Sequence, residues 1–231
     1  MKKSCLVIPL SSREVYGGFA YLAFQILLLP VILVEGNAML PRPLSEVRLN
    51  FAFFAVNYLS IFLIFRRMIS ISASRIWQNQ GRFWKYTLLG LLGYALCTKG
   101  YTTLVSLLYP GFVNANDESI FLMAGQDLSL MILGTVLLVP MVEECLYRGL
   151  IFGRIYPRNR ASAYIVSMVA FSMIHVLGYA GYVPALDLVL SFIQYLPAGF
   201  FLAWAYASTG TVFAPVLIHA LVNAYGIFGM R

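Results

Sequence analysis

The chain has 231 residues, of which 61% are hydrophobic and only 11% charged, and its formal net charge is +7. Soluble domains run nearer one-half apolar and about one-quarter charged, so the composition excludes an ordinary soluble fold. It also argues against a nucleic-acid surface, because the cations are scattered over short loops rather than gathered on one patch with aromatic or amide readers.

A hydrocarbon core about 30 Å thick takes about 20 apolar helical residues per crossing. Seven segments approach that length: about Val15 to Val34, Leu49 to Phe65, Phe83 to Leu108, Leu128 to Phe152, Ala163 to Gly181, Ala185 to Ala207 and Thr211 to Gly229. None alternates as a barrel strand does, so the expected fold is an all-α, polytopic transmembrane bundle of about seven spanning helices. No cleavage pattern follows the first segment, which therefore reads as a retained helix and not a signal peptide.

Lys2, Lys3 and Arg13 precede the first segment. Arg66, Arg67, Arg75, Arg82 and Lys85 separate the second from the third, and Arg154, Arg158 and Arg160 separate the fourth from the fifth. The alternate loops carry only Arg42 and Arg48, so the positive-inside rule predicts a cytoplasmic N-terminus and an external C-terminus. Met68 to Gln80, "MISISASRIWQNQ", reads as an interfacial linker with Trp77 and Trp84 as belt anchors. Val113 to Ser119, "VNANDES", reads as a solvated acidic external loop. Cys5, Cys97 and Cys145 are too few for a disulfide framework and read as small hydrophobes in helices. No internal repeat marks a solenoid or an inverted-repeat transporter.

The chemistry concentrates in "LLVPMVEECLYRGLIF", Leu137 to Phe152, where Glu143, Glu144 and Arg148 interrupt an apolar run. An ionised side chain at mid-bilayer costs about 2.5 to 3.5 kcal/mol, so carboxylates there are candidates for function. Residues four apart share a helix face, which pairs Glu144 with Arg148 and leaves Glu143 facing elsewhere without a local partner. Such a carboxylate suits general acid or base work. Pro140 removes one backbone donor and, in an α-helix, frees the Val136 carbonyl, implying a kink or a wet cavity.

Both histidines, His175 and His219, fall inside apolar segments, and Asn223 follows His219 on the same face. Imidazole and amide could then donate to one oxygen atom. Depths reckoned at about 1.5 Å per residue bring Glu143 and His175 to mid-membrane, and bring His219 to them if a cavity opens toward the cytoplasmic leaflet or the helices tilt.

Glu143, Glu144 and Arg148, then Phe171 and His175, then His219 and Asn223, in that order on three segments, resemble the motifs of the intramembrane CPBP family, which comprises CAAX prenyl endopeptidases, bacterial proteases and bacteriocin-immunity proteins. The likeness covers roughly residues 140–225, so residues 128–231 read as the catalytic core and residues 1–127 as motif-free membrane helices and linker, within one integrated membrane domain. The resemblance implies an endopeptidase of the cell membrane that needs neither metal nor cofactor. In it Glu143 and His175 activate water, His219 and Asn223 form an oxyanion hole, and Glu144, Arg148 and Phe171 support the site. The expected partners are the lipid bilayer and a peptide or membrane-protein substrate, cut near the cytoplasmic half of the bilayer.

Three other readings compete. A zinc metalloprotease lacks a His-Glu-x-x-His helix. A serine mechanism through Ser172 or Ser191 lacks a Gly-x-Ser-x-Gly elbow. A proton-coupled carrier, or a membrane scaffold such as an immunity protein, would use Glu143 and the histidines, with Lys99 and Asp187, as a relay or as interhelical glue.

Overall fold

The computed structural model describes residues 6–229; Lys2, Lys3 and Cys5 lie outside them. All seven apolar segments are helical: α1 (Ser12–Leu27) and α2 (Leu29–Ala38) together, α3 (Glu46–Gln78), α4 (Gln80–Leu108), α6 (Leu128–Ile155), α7 (Arg160–Tyr179), α8 (Ala185–Thr209) and α9 (Phe213–Gly229). A further helix, α5 (Ala115–Gln126), lies between α4 and α6. No strand occurs among the described residues. Helices α3, α6, α7 and α8 are long and apolar enough to span a membrane, and α1 with α2 makes a fifth such rod, bent by 44° where Pro30 opens α2. The protein is an integral membrane bundle.

Short polar residues set the boundaries. Ser11 and Glu14 close a capping box on α1, and Asn79, Asn114, Asp127 and Asn159 each accept a backbone N–H in the first turn of the helix that follows. Gly210 ends α8 with φ of 71°, and an added Cβ there would meet the Arg75 guanidinium and the Leu6 carbonyl. Leu27, Leu63, Leu96, Leu107, Leu133, Ile165 and Val189 point outward, as lipid-facing side chains of a bundle do. Phe65, Leu146, Phe152, Phe171, Leu202 and Tyr206 fill the interior. Helix α8 is central and packs on α7, α4 and α9. A Cβ at Gly199 would lie 2.7 Å from the Met168 Cα, so this glycine sets the close approach of α7 and α8.

Two loop expectations are corrected. Met68 to Gln80 is not a separate linker: Met68 to Gln78 continue α3 beyond a kink at Phe65 (φ −101°, ψ 16°). A kink frees backbone groups, and the buried Glu14 carboxylate takes the Met68 N–H at 2.9 Å while Oε2 receives Arg67 at 3.2 Å. Arg75 then donates to the carbonyls of Leu6 and Gly210, fastening the N-terminal segment to the end of α8. Trp77 and Trp84 are both exposed, as anchors would be. The second correction concerns Val113 to Ser119, whose latter part opens α5; Asp117 turns into the bundle rather than into solvent.

Replacing Glu14 by alanine leaves a buried N–H without a partner, and thermal unfolding in detergent should show a loss of about 2 kcal/mol. With the native cysteines replaced by serine, a cysteine at the exposed position Glu118 should react with an impermeant maleimide in intact cells, and one at exposed Ser74 only after permeabilisation. The reverse pattern would invert the orientation read from the cations.

Candidate active site

Helix α6 is not a uniform α-helix. Residues Ile132–Leu138 and Glu144–Phe152 wind as π-turns, with the Val139 N–H reaching the Gly134 carbonyl five residues back. In that register Pro140 orphans the carbonyl of Thr135, not that of Val136, and Asn223 Nδ2 donates to it at 2.8 Å. The Thr135 hydroxyl bonds the Met131 carbonyl at 2.7 Å. The proline therefore produces a widened turn whose freed acceptor is taken up by α9.

The two glutamates part as the spacing predicts. Glu144 and Arg148 are fully buried, and Glu144 Oε1 accepts from Arg148 Nη1 at 2.9 Å and from His219 Nδ1 at 2.9 Å. The Arg148 guanidinium lies 4.2 Å from the Phe171 ring centroid, and its Nη2 reaches the carbonyls of Ala198 and Gly199 at 3.4 and 3.5 Å. One ion pair so connects α6 to α7, α8 and α9. Since a carboxylate only accepts, Nδ1 of His219 is the protonated nitrogen and Nε2 is left for other partners.

Glu143 lies against α7, where its Oε2 faces His175 Nε2 at 3.8 Å, with both side chains partly exposed at 20% and 14%. That separation is too long for a direct hydrogen bond. It suits one oxygen atom bonded to both at about 2.8 Å. His175 Nδ1 lies 2.8 Å from the Phe171 carbonyl, which only accepts, so Nδ1 carries the proton and Nε2 presents a lone pair toward Glu143 in the neutral ring.

A cavity of about 630 Å³ reaches this pair and is lined also by His219 and Asn223. Its other lining residues include Glu46 and Asn50 at the start of α3, Asn116 and Asp117 at the start of α5, Tyr179 at the end of α7 and Tyr225 near the end of α9. These helix ends lie opposite the Arg66–Lys85 and Arg154–Arg160 clusters. A second cavity of about 450 Å³, walled by Gln25, Pro30, Phe53, Asn57, Tyr147 and Ile174, meets the first at Glu143 and is mostly apolar.

The structure thus gathers Glu143, Phe171, His175, His219 and Asn223 around one space, with Glu144 and Arg148 buried beside it and joined to His219 and Phe171. What the sequence reading missed is Asp117. Its Oδ1 accepts from Tyr195 Oη and its Oδ2 from Gln194 Nε2, each at 3.0 Å. Burial pushes the Asp117 carboxyl above the usual carboxylate range, although these hydrogen bonds draw it back. Asn114 caps α5 just before it, a signal that could have marked a helix start in place of a loop. Among the described residues, no group of three His, Cys, Asp or Glu side chains is placed to hold a metal ion.

Fold and site together define a helical integral membrane protein whose titratable groups converge inside the bundle. Residues 125–225 match the family described as Type II CAAX prenyl endopeptidase Rce1-like, so the resemblance carried by the three motifs is borne out over that region, a membrane-protease region. The chain is 28% identical over 155 residues to the "UPF0177 protein YxdF" of Lactococcus lactis subsp. lactis (strain IL1403), a match covering 65% of this chain and 77% of that protein. It is 30% identical over 101 residues to the "Putative membrane peptidase YdiL" of Bacillus subtilis (strain 168), covering 43% of this chain and 37% of that protein. No solved structure matches.

Arg148→Met should destabilise the protein by about 3 to 5 kcal/mol, because it leaves the Glu144 charge buried without its cation. The double change Arg148→Met with Glu144→Gln should recover part of that loss. Thermal unfolding of the purified variants measures both.

Proposed function

We propose that the protein is an endopeptidase that hydrolyses a peptide bond inside the membrane, with Glu143 and His175 activating the attacking water. The observation that carries this reading is the facing of Glu143 Oε2 and His175 Nε2 across 3.8 Å at the meeting point of two cavities. The carboxylate takes the proton of a water held between the two groups as its oxygen attacks the carbonyl carbon. The proton then passes to the leaving amine. His219 and Asn223 face the developing oxyanion: the amide retains one N–H beyond its bond to Thr135, and His219 donates from Nε2 when its ring is doubly protonated beside Glu144. Glu144, Arg148 and Phe171 hold these groups without touching the substrate.

The polar cavity supplies water and the apolar one suits an apolar stretch of the substrate, so a peptide or a membrane protein with a hydrophobic segment is the substrate class proposed. Depths reckoned along the helices predict a cut near the cytoplasmic half of the bilayer. The polar cavity lies at the helix ends that the positive-inside rule turns outward, opposite the cationic clusters, so access from the non-cytoplasmic side replaces that expectation.

Peptides and new protein termini in cells expressing wild type, or Glu143→Gln at matched membrane levels, test the reading by mass spectrometry. A product present with wild type should fall at least about a hundredfold in the variant, as loss of a general base predicts. Identical profiles would point to a scaffold or immunity role in which the motifs serve structure.

A further inference from the structure

The His175 ring is fixed by more than its own helix. Its Nδ1 is tied to the Phe171 carbonyl, and its face lies against Tyr195 of α8 with centroids 4.3 Å apart and planes inclined by 30°. Tyr195 is itself held by its hydroxyl, which donates to Asp117 Oδ1 at 3.0 Å and accepts from Asn116 Nδ2 at 3.0 Å. Gln194 secures the other carboxylate oxygen. The first turn of α5 is fixed in turn by the Asn114 side chain, which accepts from the backbone N–H groups of Asn116 and Asp117.

A carboxylate that is largely buried, with neutral donors and no Lys or Arg paired to it among the described residues, is costly to keep. Its hydrogen bonds come from the one tyrosine that touches His175, from that tyrosine's neighbour Gln194, and from the Asn116 amide, which also donates to the same tyrosine. A hydrolytic pair needs this help because Glu143 and His175 do not bond each other directly, so nothing between them sets the orientation of the imidazole. Rotation of the ring would carry Nε2 away from the water it must share with Glu143.

Building on the hydrolytic reading above, we propose that Asp117 is a positioning residue of the site, acting through Tyr195 to hold the His175 imidazole with Nε2 toward Glu143. In this role Asp117 acts through Tyr195 and not on the reacting atoms themselves. It also gives α5, a helix that carries none of the three motifs, a part in the reaction.

The chain has two histidines, so ring-labelled histidine gives two sets of NMR signals, assigned with His219→Gln. In Asp117→Ala the carbon-bound ring protons of His175 should move downfield, toward their position in Tyr195→Leu, as the stacked ring is released. With a substrate in hand, kcat of Asp117→Ala should fall about tenfold at unchanged KM, the scale expected when a reacting group is displaced by less than 1 Å. Asp117→Asn should keep both the signal position and most of kcat: asparagine still accepts from Tyr195, and the Gln194 amide can turn to offer its unpaired Oε1 to the new Nδ2. His175 signals unmoved in Asp117→Ala, or equal losses of kcat in the alanine and asparagine variants, would overturn the proposal. If Asp117→Ala does not fold, Tyr195→Phe keeps the ring and removes the hydroxyl; a downfield move supports the proposal and an unmoved signal overturns it. If the wild type cleaves nothing, the hydrolytic reading fails while the ring signals still decide what Asp117 does.

Discussion

A carboxylate and a guanidinium with no solvent exposure hold the functional half of this protein together. Taking both charges out of water costs several kcal/mol each, and the cost is offset only if the surrounding groups satisfy them. Glu144 therefore needs Arg148 and His219, and Arg148 needs the Phe171 face and the carbonyls of Ala198 and Gly199. Apart from Arg148, which shares α6 with Glu144, those partners sit on three other helices. Once they are in place, α7, α8 and α9 are aligned on α6, and Glu143, one residue earlier, is turned toward His175. The neighbouring carboxylates thus part: Glu144 is consumed by structure, while Glu143 keeps its Oε2 facing His175 Nε2 across 3.8 Å.

Broken backbone is used in the same way. In lipid every peptide group needs a partner inside the protein, so a proline or a kink is tolerated only where a side chain supplies what is lost. Asn223 meets the carbonyl orphaned by Pro140, and Glu14 meets the N–H exposed at the α3 kink. Both repairs use residues far away in sequence. The first lets α6 take a wider turn beside the cavity without leaving an unsatisfied acceptor.

Much of this was legible in the chain. Hydropathy located all seven helical rods, and the i,i+4 rule separated Glu144 from Glu143 because helical geometry is local. The histidines and Asn223 were found because polar residues are conspicuous in an apolar segment. Three features escaped for a common reason, which is that each depends on a partner distant in sequence. The π-register that moves the orphan from Val136 to Thr135 is stabilised across helices. The extension of α3 past Phe65 rests on Glu14, 54 positions away from Met68. Asp117 looked solvated because "VNANDES" is polar, and only Tyr195 and Gln194, nearly 80 positions later, show that it faces inward.

The division between the two glutamates is tested most directly by thermal unfolding and substrate cleavage measured side by side on purified Glu143→Gln and Glu144→Gln. The account predicts that Glu143→Gln unfolds at the wild-type temperature and does not cleave, whereas Glu144→Gln unfolds well below it. A Glu144→Gln protein as stable as wild type, or a Glu143→Gln protein that still cleaves, would contradict it.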